Sequence, residues 1–181
     1  MAALAHTRTA ALAFSLALVA ASPSSAEDPP PVFRAENAGY VEGLFQSSVA
    51  RARLAAAEKL RSAKCRQLFS EFQDLEGRSL DEVLIAHRET PEQRLWRMAF
   101  RDGSSATGCH EKNIFAFTSP GSLTVSVCRN FRELAERQTG AAANILIHEE
   151  LHSLGAGEAP MPGLLTTHQI TARVEDRCGW R

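Results

Sequence analysis

The run at residues 141–158, AAANILIHEELHSLGAGE, constrains this chain more tightly than any other. Alanines lead into it, no proline or glycine interrupts it, and Gly155-Ala156-Gly157 stops it, which predicts a helix of about 14 residues. On a helix, residues four apart share a face, so His148 and His152 stand side by side. Ile147, Leu151 and Leu154 form a separate apolar stripe that anchors the helix in a core and leaves the histidine face to line a cleft. Two neutral imidazoles at this spacing suit a tetrahedral zinc ion. Glu149, beside the first, is placed to take a proton from water that such an ion activates.

A catalytic zinc takes three protein ligands and keeps one position open. Gly155 lies three residues after His152 and Glu158 six after it, so the run reads H-E-x-x-H-x-x-G-x-x-E. It resembles the zincin metallopeptidases, and within them the metzincin pattern H-E-x-x-H-x-x-G-x-x-H, over about 11 residues. The resemblance implies that the glycine turns the chain sharply and that the residue three further on reaches back to the metal. Here that residue is Glu158, a carboxylate where the pattern has histidine, so the subfamily is not identified. Met161 comes too early for the methionine turn of that group. His168 is the rival for third ligand. Against the whole reading stands an amphipathic helix that carries His and Glu only on its solvated face.

Residues 1–26 have the form of an export signal. His6 and Arg8 open it, residues 9–21 are apolar and uncharged but too short to cross a bilayer, and Ser24-Ser25-Ala26 offers a cleavage site. Removing it, with its one arginine and no acid, takes the formal net charge from −1 to −2. So small a charge argues against a nucleic-acid partner, which would want a basic stripe. Residues 27–39, with Pro29-Pro30-Pro31, read as a flexible leader. Residues 40–181 then suffice for one core, without membrane association after cleavage, and a monomer is expected. The four cysteines all lie in this part. An even count in an exported chain points to two disulfides with three possible pairings. The favoured pairing is Cys109–Cys128, at the base of a hairpin, with Cys65–Cys178 tying the early helical region to the C-terminus.

The expected fold is α+β: a mainly helical single domain with a small antiparallel sheet beside the zinc helix. Residues 40–75 read as helical, with Cys65, Leu68, Phe69, Phe72 and Leu75 inward and a solvated basic face that includes Arg51 and Arg53. Ser79 with Glu82, Thr90 with Gln93 and Thr166 with Gln169 fit capping boxes for helices at 80–87, 91–100 and 166–177. Residues 113–118 and 122–128 read as strands joined by a type II turn at Ser119-Pro120-Gly121-Ser122. Asn130 with Glu133 opens a further helix.

Taken together, these features lead us to expect an exported zinc-dependent peptidase, periplasmic or secreted, acting on peptide or protein substrate. His148, His152 and Glu158 would hold one zinc and Glu149 would act as general base. By the same resemblance, an edge strand beside the metal helix pairs with extended substrate. Arg129, Arg173 and His168 are candidates for stabilising the oxyanion, and Glu150 or Asp176 for steadying a ligand imidazole. His87 and His110 have no evident partner. Two alternatives remain: a metallo-amidase acting on cell-wall peptides, and a non-catalytic exported binding module.

Overall fold

The computed structural model describes residues 43–111 and 113–180; the expected export signal and proline-rich leader lie outside them. The described residues form an α+β domain of seven helices and a three-stranded sheet. After a 3-10 turn at Gly43–Phe45 come α1 (Gln46–Leu60), α2 (Ala63–Glu71), α3 (Leu80–His87) and α4 (Pro91–Arg97). Strand β1 (Ala99–Asp102), a second 3-10 turn at Thr107–His110, β2 (Ala116–Phe117) and β3 (Thr124–Val127) follow. The chain closes with α5 (Arg129–Arg137), α6 (Thr139–Ser153) and α7 (Thr167–Cys178).

Local chemistry sets most of these boundaries. All three expected capping boxes form, at Ser79, Thr90 and Thr166, each with the side-chain and backbone bonds made reciprocally. The long helical region does not run unbroken: Ser62 takes an extended conformation and divides α1 from α2. Phe72 is extended too and ends α2, which leaves Leu75 outside the core at 52% exposure. Asn130 does not open α5. Cys128 holds the N-cap position, and the Asn130 amide donates instead to the Ile114 carbonyl at 3.0 Å.

The fourth helix ends at Arg97, short of the expected residue 100, and Arg53 supplies the physical reason. Its guanidinium is buried and donates to the carbonyls of Leu95, Trp96 and Met98 at 3.1, 2.6 and 2.8 Å. Carbonyls at a helix end need partners from outside the helix, and here a side chain of α1 provides them. The same cation lies over the Trp96 and Phe100 rings, about 5 Å from each centroid. Arg53 is therefore a core residue and not part of a solvated face. Freed from the helix, residues 99–102 become β1.

Strand β1 makes the sheet mixed and not purely antiparallel. β3 lies in the middle, parallel to β1 with Phe100 opposite Val125, and antiparallel to β2 with Phe117 opposite Ser126. The expected turn closes β2 to β3. Ser122 N–H donates to Ser119 O at 2.9 Å, and Gly121 has φ +78°, a conformation that type II turns require of their third residue. Gly121 N–H also bonds the His152 carbonyl at 2.8 Å, tying the hairpin to the end of α6.

Helix α6 runs through the centre of the domain against α1, α4, α5, α7 and β2. Ala142, Ala143, Leu146, Ile147 and Leu151 are all fully buried, so the apolar surface is wider than the single expected stripe. Alanines on α1 (Ala52 and Ala56) and α6 allow close helix approach. Both favoured disulfides form: Cys65–Cys178 joins α2 to α7, and Cys109–Cys128 joins the second 3-10 turn to the end of β3. With every cysteine paired, the chain fits an oxidising, non-cytoplasmic compartment. Among the described residues no helix is long and apolar enough to cross a membrane.

Candidate metal centre

His148 and His152 face the same way from the last two turns of α6, both about 95% buried. After Leu154 the chain reverses at Gly155, whose φ of +110° is open to glycine and strained for other residues. The reversed segment is pinned by a β-bridge between Asp74 and Ala156 and by Ala156 N–H donating to the Leu151 carbonyl. Three residues beyond the glycine, Glu158 comes back over the histidines. Its Oε2 lies 3.5 Å from His152 Nε2 and 3.9 Å from His148 Nε2, and the two Nε2 atoms are 3.0 Å apart. A circle through three atoms with these separations has a radius of about 2.0 Å, which is the bond length of zinc to imidazole nitrogen and carboxylate oxygen.

The hydrogen bonds around the rings fix how the cluster is held. His152 Nδ1 faces the Ala156 carbonyl at 2.7 Å, and a carbonyl can only accept, so Nδ1 carries the hydrogen. In the neutral ring the Nε2 lone pair then points at His148 Nε2 and at the Glu158 carboxylate. His148 Nδ1 is steadied by Thr171 Oγ1 at 3.1 Å, from α7. Glu158 Oε2 accepts from Thr167 Oγ1 at 2.9 Å. Atoms rich in lone pairs repel one another at these distances unless a proton or a cation stands among them. A proton on His152 or a metal ion both meet that need. Burial and then the His152 charge hold His148 down at about 3. Burial also presses on His152, but Glu158, Glu149 and the Ala156 carbonyl outweigh it and raise its pKa. The hydrogen bond from His152 lowers Glu158, against burial. The donor set, two imidazoles and one carboxylate with a steadying bond on each, fits a zinc ion.

Glu149 is buried beside this cluster. Burial pushes its carboxyl up to about 7, with the His152 charge and a bond from the Thr118 backbone N–H working the other way. Its Oε2 has no protein partner. Glu150, one residue on, does not steady a ligand histidine. It is fully buried on a different side of α6, near Arg94 and Glu92, and both its oxygens lack hydrogen bonds. Burial, reinforced by Glu92, holds its carboxyl well above the usual range. Asp176 is an exposed partner of Lys64 and Arg177. Thr171 and the Ala156 carbonyl take the supporting role expected of these two acids.

His168 stands outside the cluster formed by His148, His152 and Glu158; it is exposed and lines a cavity next to it. Of the oxyanion candidates, Arg173 is paired with Glu71 at 3.8 Å and Arg129 is exposed. His87 and His110 are exposed as well. The edge strand β2 packs against α6, and residues 113–116, leading into it, line the same cavity as His148 and Glu149. The sequence offered one overlooked signal: Thr167 and Thr171, four apart, share the face of α7 that meets the cluster. No family model matches the chain, and no curated protein or solved structure is significantly similar to it.

Proposed function

We propose that this protein is an exported zinc-dependent hydrolase of peptide bonds, of the zincin kind that H-E-x-x-H-x-x-G-x-x-E suggests. The observation that carries the reading is the triangle of His148 Nε2, His152 Nε2 and Glu158 Oε2, sized for one zinc, with the unpaired Glu149 Oε2 beside it. Bound there, zinc supplies Lewis acidity, polarising a carbonyl and making a water molecule acidic near neutral pH. The chain's own residues do the remainder. The Ala156 carbonyl and Thr171 hold the two imidazoles in the ligating orientation, and Thr167 orients Glu158. Glu149 takes the proton of the attacking water and delivers it to the departing amine. Its carboxyl, pushed up to about 7, suits a group that must both accept and donate near neutral pH. The edge strand β2 is the element that would pair with an extended peptide. The two disulfides and the signal-like residues 1–26 agree with work outside the cytoplasm, periplasmic or secreted.

Elemental analysis of purified protein, with digestion of casein and of cell-wall peptides, tests the proposal. One zinc per chain is expected in the parent, lost in His152→Ala, weakened in Glu158→Ala and kept in Glu149→Gln. Hydrolysis disappears in all three variants. Release from wall peptides but not casein would move the assignment to an amidase. Zinc retained with nothing hydrolysed by the parent would leave a binding module, and no zinc after reconstitution removes the reading.

A further inference from the structure

A cavity of about 310 Å³ adjoins the metal cluster. His148 and Glu149 line it at one end, and Ile145, Asn144 and Ala141 continue the lining toward the start of α6. From His148 to Asn144 the helix rises about 6 Å, the reach of an extended lysine-type side chain. Ile114, Phe115 and Leu134 supply apolar wall opposite. Thr171 and Glu175 from α7, and Trp180 after it, complete the far side.

The lining carries two carboxylates, Glu149 and Glu175, beside neutral amide, hydroxyl, imidazole and indole groups. Asn144 is 2% exposed, and its Nδ2 donates to the Gly179 carbonyl at 2.9 Å, which fixes which end of the amide is oxygen. That oxygen, Oδ1, has no partner. Glu175 makes no ion pair among the described residues, and burial raises its carboxyl although the nearby Lys59 charge opposes this. Lys59 itself is committed elsewhere, donating to the carbonyls of Cys178 and Gly179 at 3.3 and 2.6 Å, and it does not line the cavity. Among the described residues no lysine or arginine lines it.

Building on the metal-centre reading, we infer that this cavity receives a substrate side chain with a long aliphatic stem and an ammonium head, of the lysine type. The stem lies along Ile145, Phe115 and Leu134, and the head donates to Asn144 Oδ1 and pairs with Glu175. An uncharged chain of equal length covers the same apolar wall but leaves both acceptors unmet. An acidic chain of that length brings its carboxylate against Glu175 and is disfavoured.

Calorimetric titration of the zinc-loaded protein with Nα-acetyl-lysine hydroxamate and Nα-acetyl-norleucine hydroxamate tests this. The two probes share the metal-binding group and the stem and differ in the ammonium. The lysine probe is expected to bind at least tenfold more tightly at pH 7. In Glu175→Gln and Asn144→Leu the preference shrinks several-fold while norleucine binding in Glu175→Gln stays as in the parent. Equal or tighter binding of the norleucine probe to the parent, or a lysine preference untouched in both variants, overturns the inference and leaves the metal centre standing. Failure of both probes to bind the zinc-loaded protein overturns the metal-centre reading and this inference with it.

Discussion

Replacing Cys65 and Cys178 together by alanine is predicted to destabilise the domain more than any other pair of substitutions on its periphery. The bridge spans 113 residues, and the chain-entropy model assigns a loop of that length about 4.8 kcal/mol at 25 °C. The Cys109–Cys128 bridge spans 19 residues and on the same arithmetic contributes about 3.2 kcal/mol. What else holds α7 cannot make up the difference. Ile170 and Val174 are buried, but the contacts of Arg173 and Arg177 with Glu71 and of Lys64 with Asp176 lie at least partly in solvent. Exposed pairs of that kind are worth roughly 0–1 kcal/mol each. For a domain of this size the loss corresponds to a fall in Tm of about 15 °C. Urea titration followed by circular dichroism, with scanning calorimetry, compares the parent with Cys65→Ala/Cys178→Ala and Cys109→Ala/Cys128→Ala. The long bridge should show the larger loss. Since α7 carries Thr167 and Thr171, zinc affinity should fall in the same variant. A loss below about 1.5 kcal/mol, or a larger loss from the short bridge, would refute the reasoning.

Three further outcomes are expected. Thr171→Val removes the partner of His148 Nδ1 and should weaken zinc binding about tenfold with the fold intact; unchanged affinity in a chelator competition would contradict this. Gly155→Ala places a methyl at φ +110°, 2.9 Å from Asp74 Cβ, and should destabilise by about 1–3 kcal/mol in urea while displacing Glu158 and weakening metal binding. Asp74 sets the acid limit of that same corner. Burial presses its carboxyl up, but bonds from the Arg78 and Glu76 backbone N–H groups and the Arg78 guanidinium prevail and lower it. A carboxyl lowered in the folded state contributes stability that is present above its unfolded pKa near 3.8 and is lost as pH falls through the folded value. Asp74→Asn should therefore lose stability at pH 6 and approach the parent near pH 3, and parallel curves from pH 6 to 3 would show that Asp74 is not responsible.

Much of this architecture is legible in the sequence where it depends on neighbours along the chain. The three capping boxes, the Pro120-Gly121 turn and the helix bearing His148 and His152 all rest on spacings of one to four residues. What eluded the sequence depends on residues far apart. Residues 98–100 continue a helical pattern, and only the Arg53 guanidinium, over forty positions upstream, reveals that the helix must end. Arg53 itself looks like any charge on a solvated face until the carbonyls it serves are known. The ligands of the proposed zinc lie in one short run, whereas their supports do not. Thr171 and Thr167 come from another helix, and the Ala156 carbonyl is a backbone atom invisible to any residue pattern. Asn144 differs again: its position on the face of His148 is readable from the four-residue spacing, but not its unpaired oxygen.

The placement of α7 bears on timing. A chain emerging from its N-terminus presents His148, His152 and Glu158 before Thr171 exists to steady the first of them, and before Cys178 can fasten the helix. In the proposed reading, the helix that steadies the first ligand is fastened fully only once the Cys65–Cys178 bridge closes, which an oxidising compartment permits.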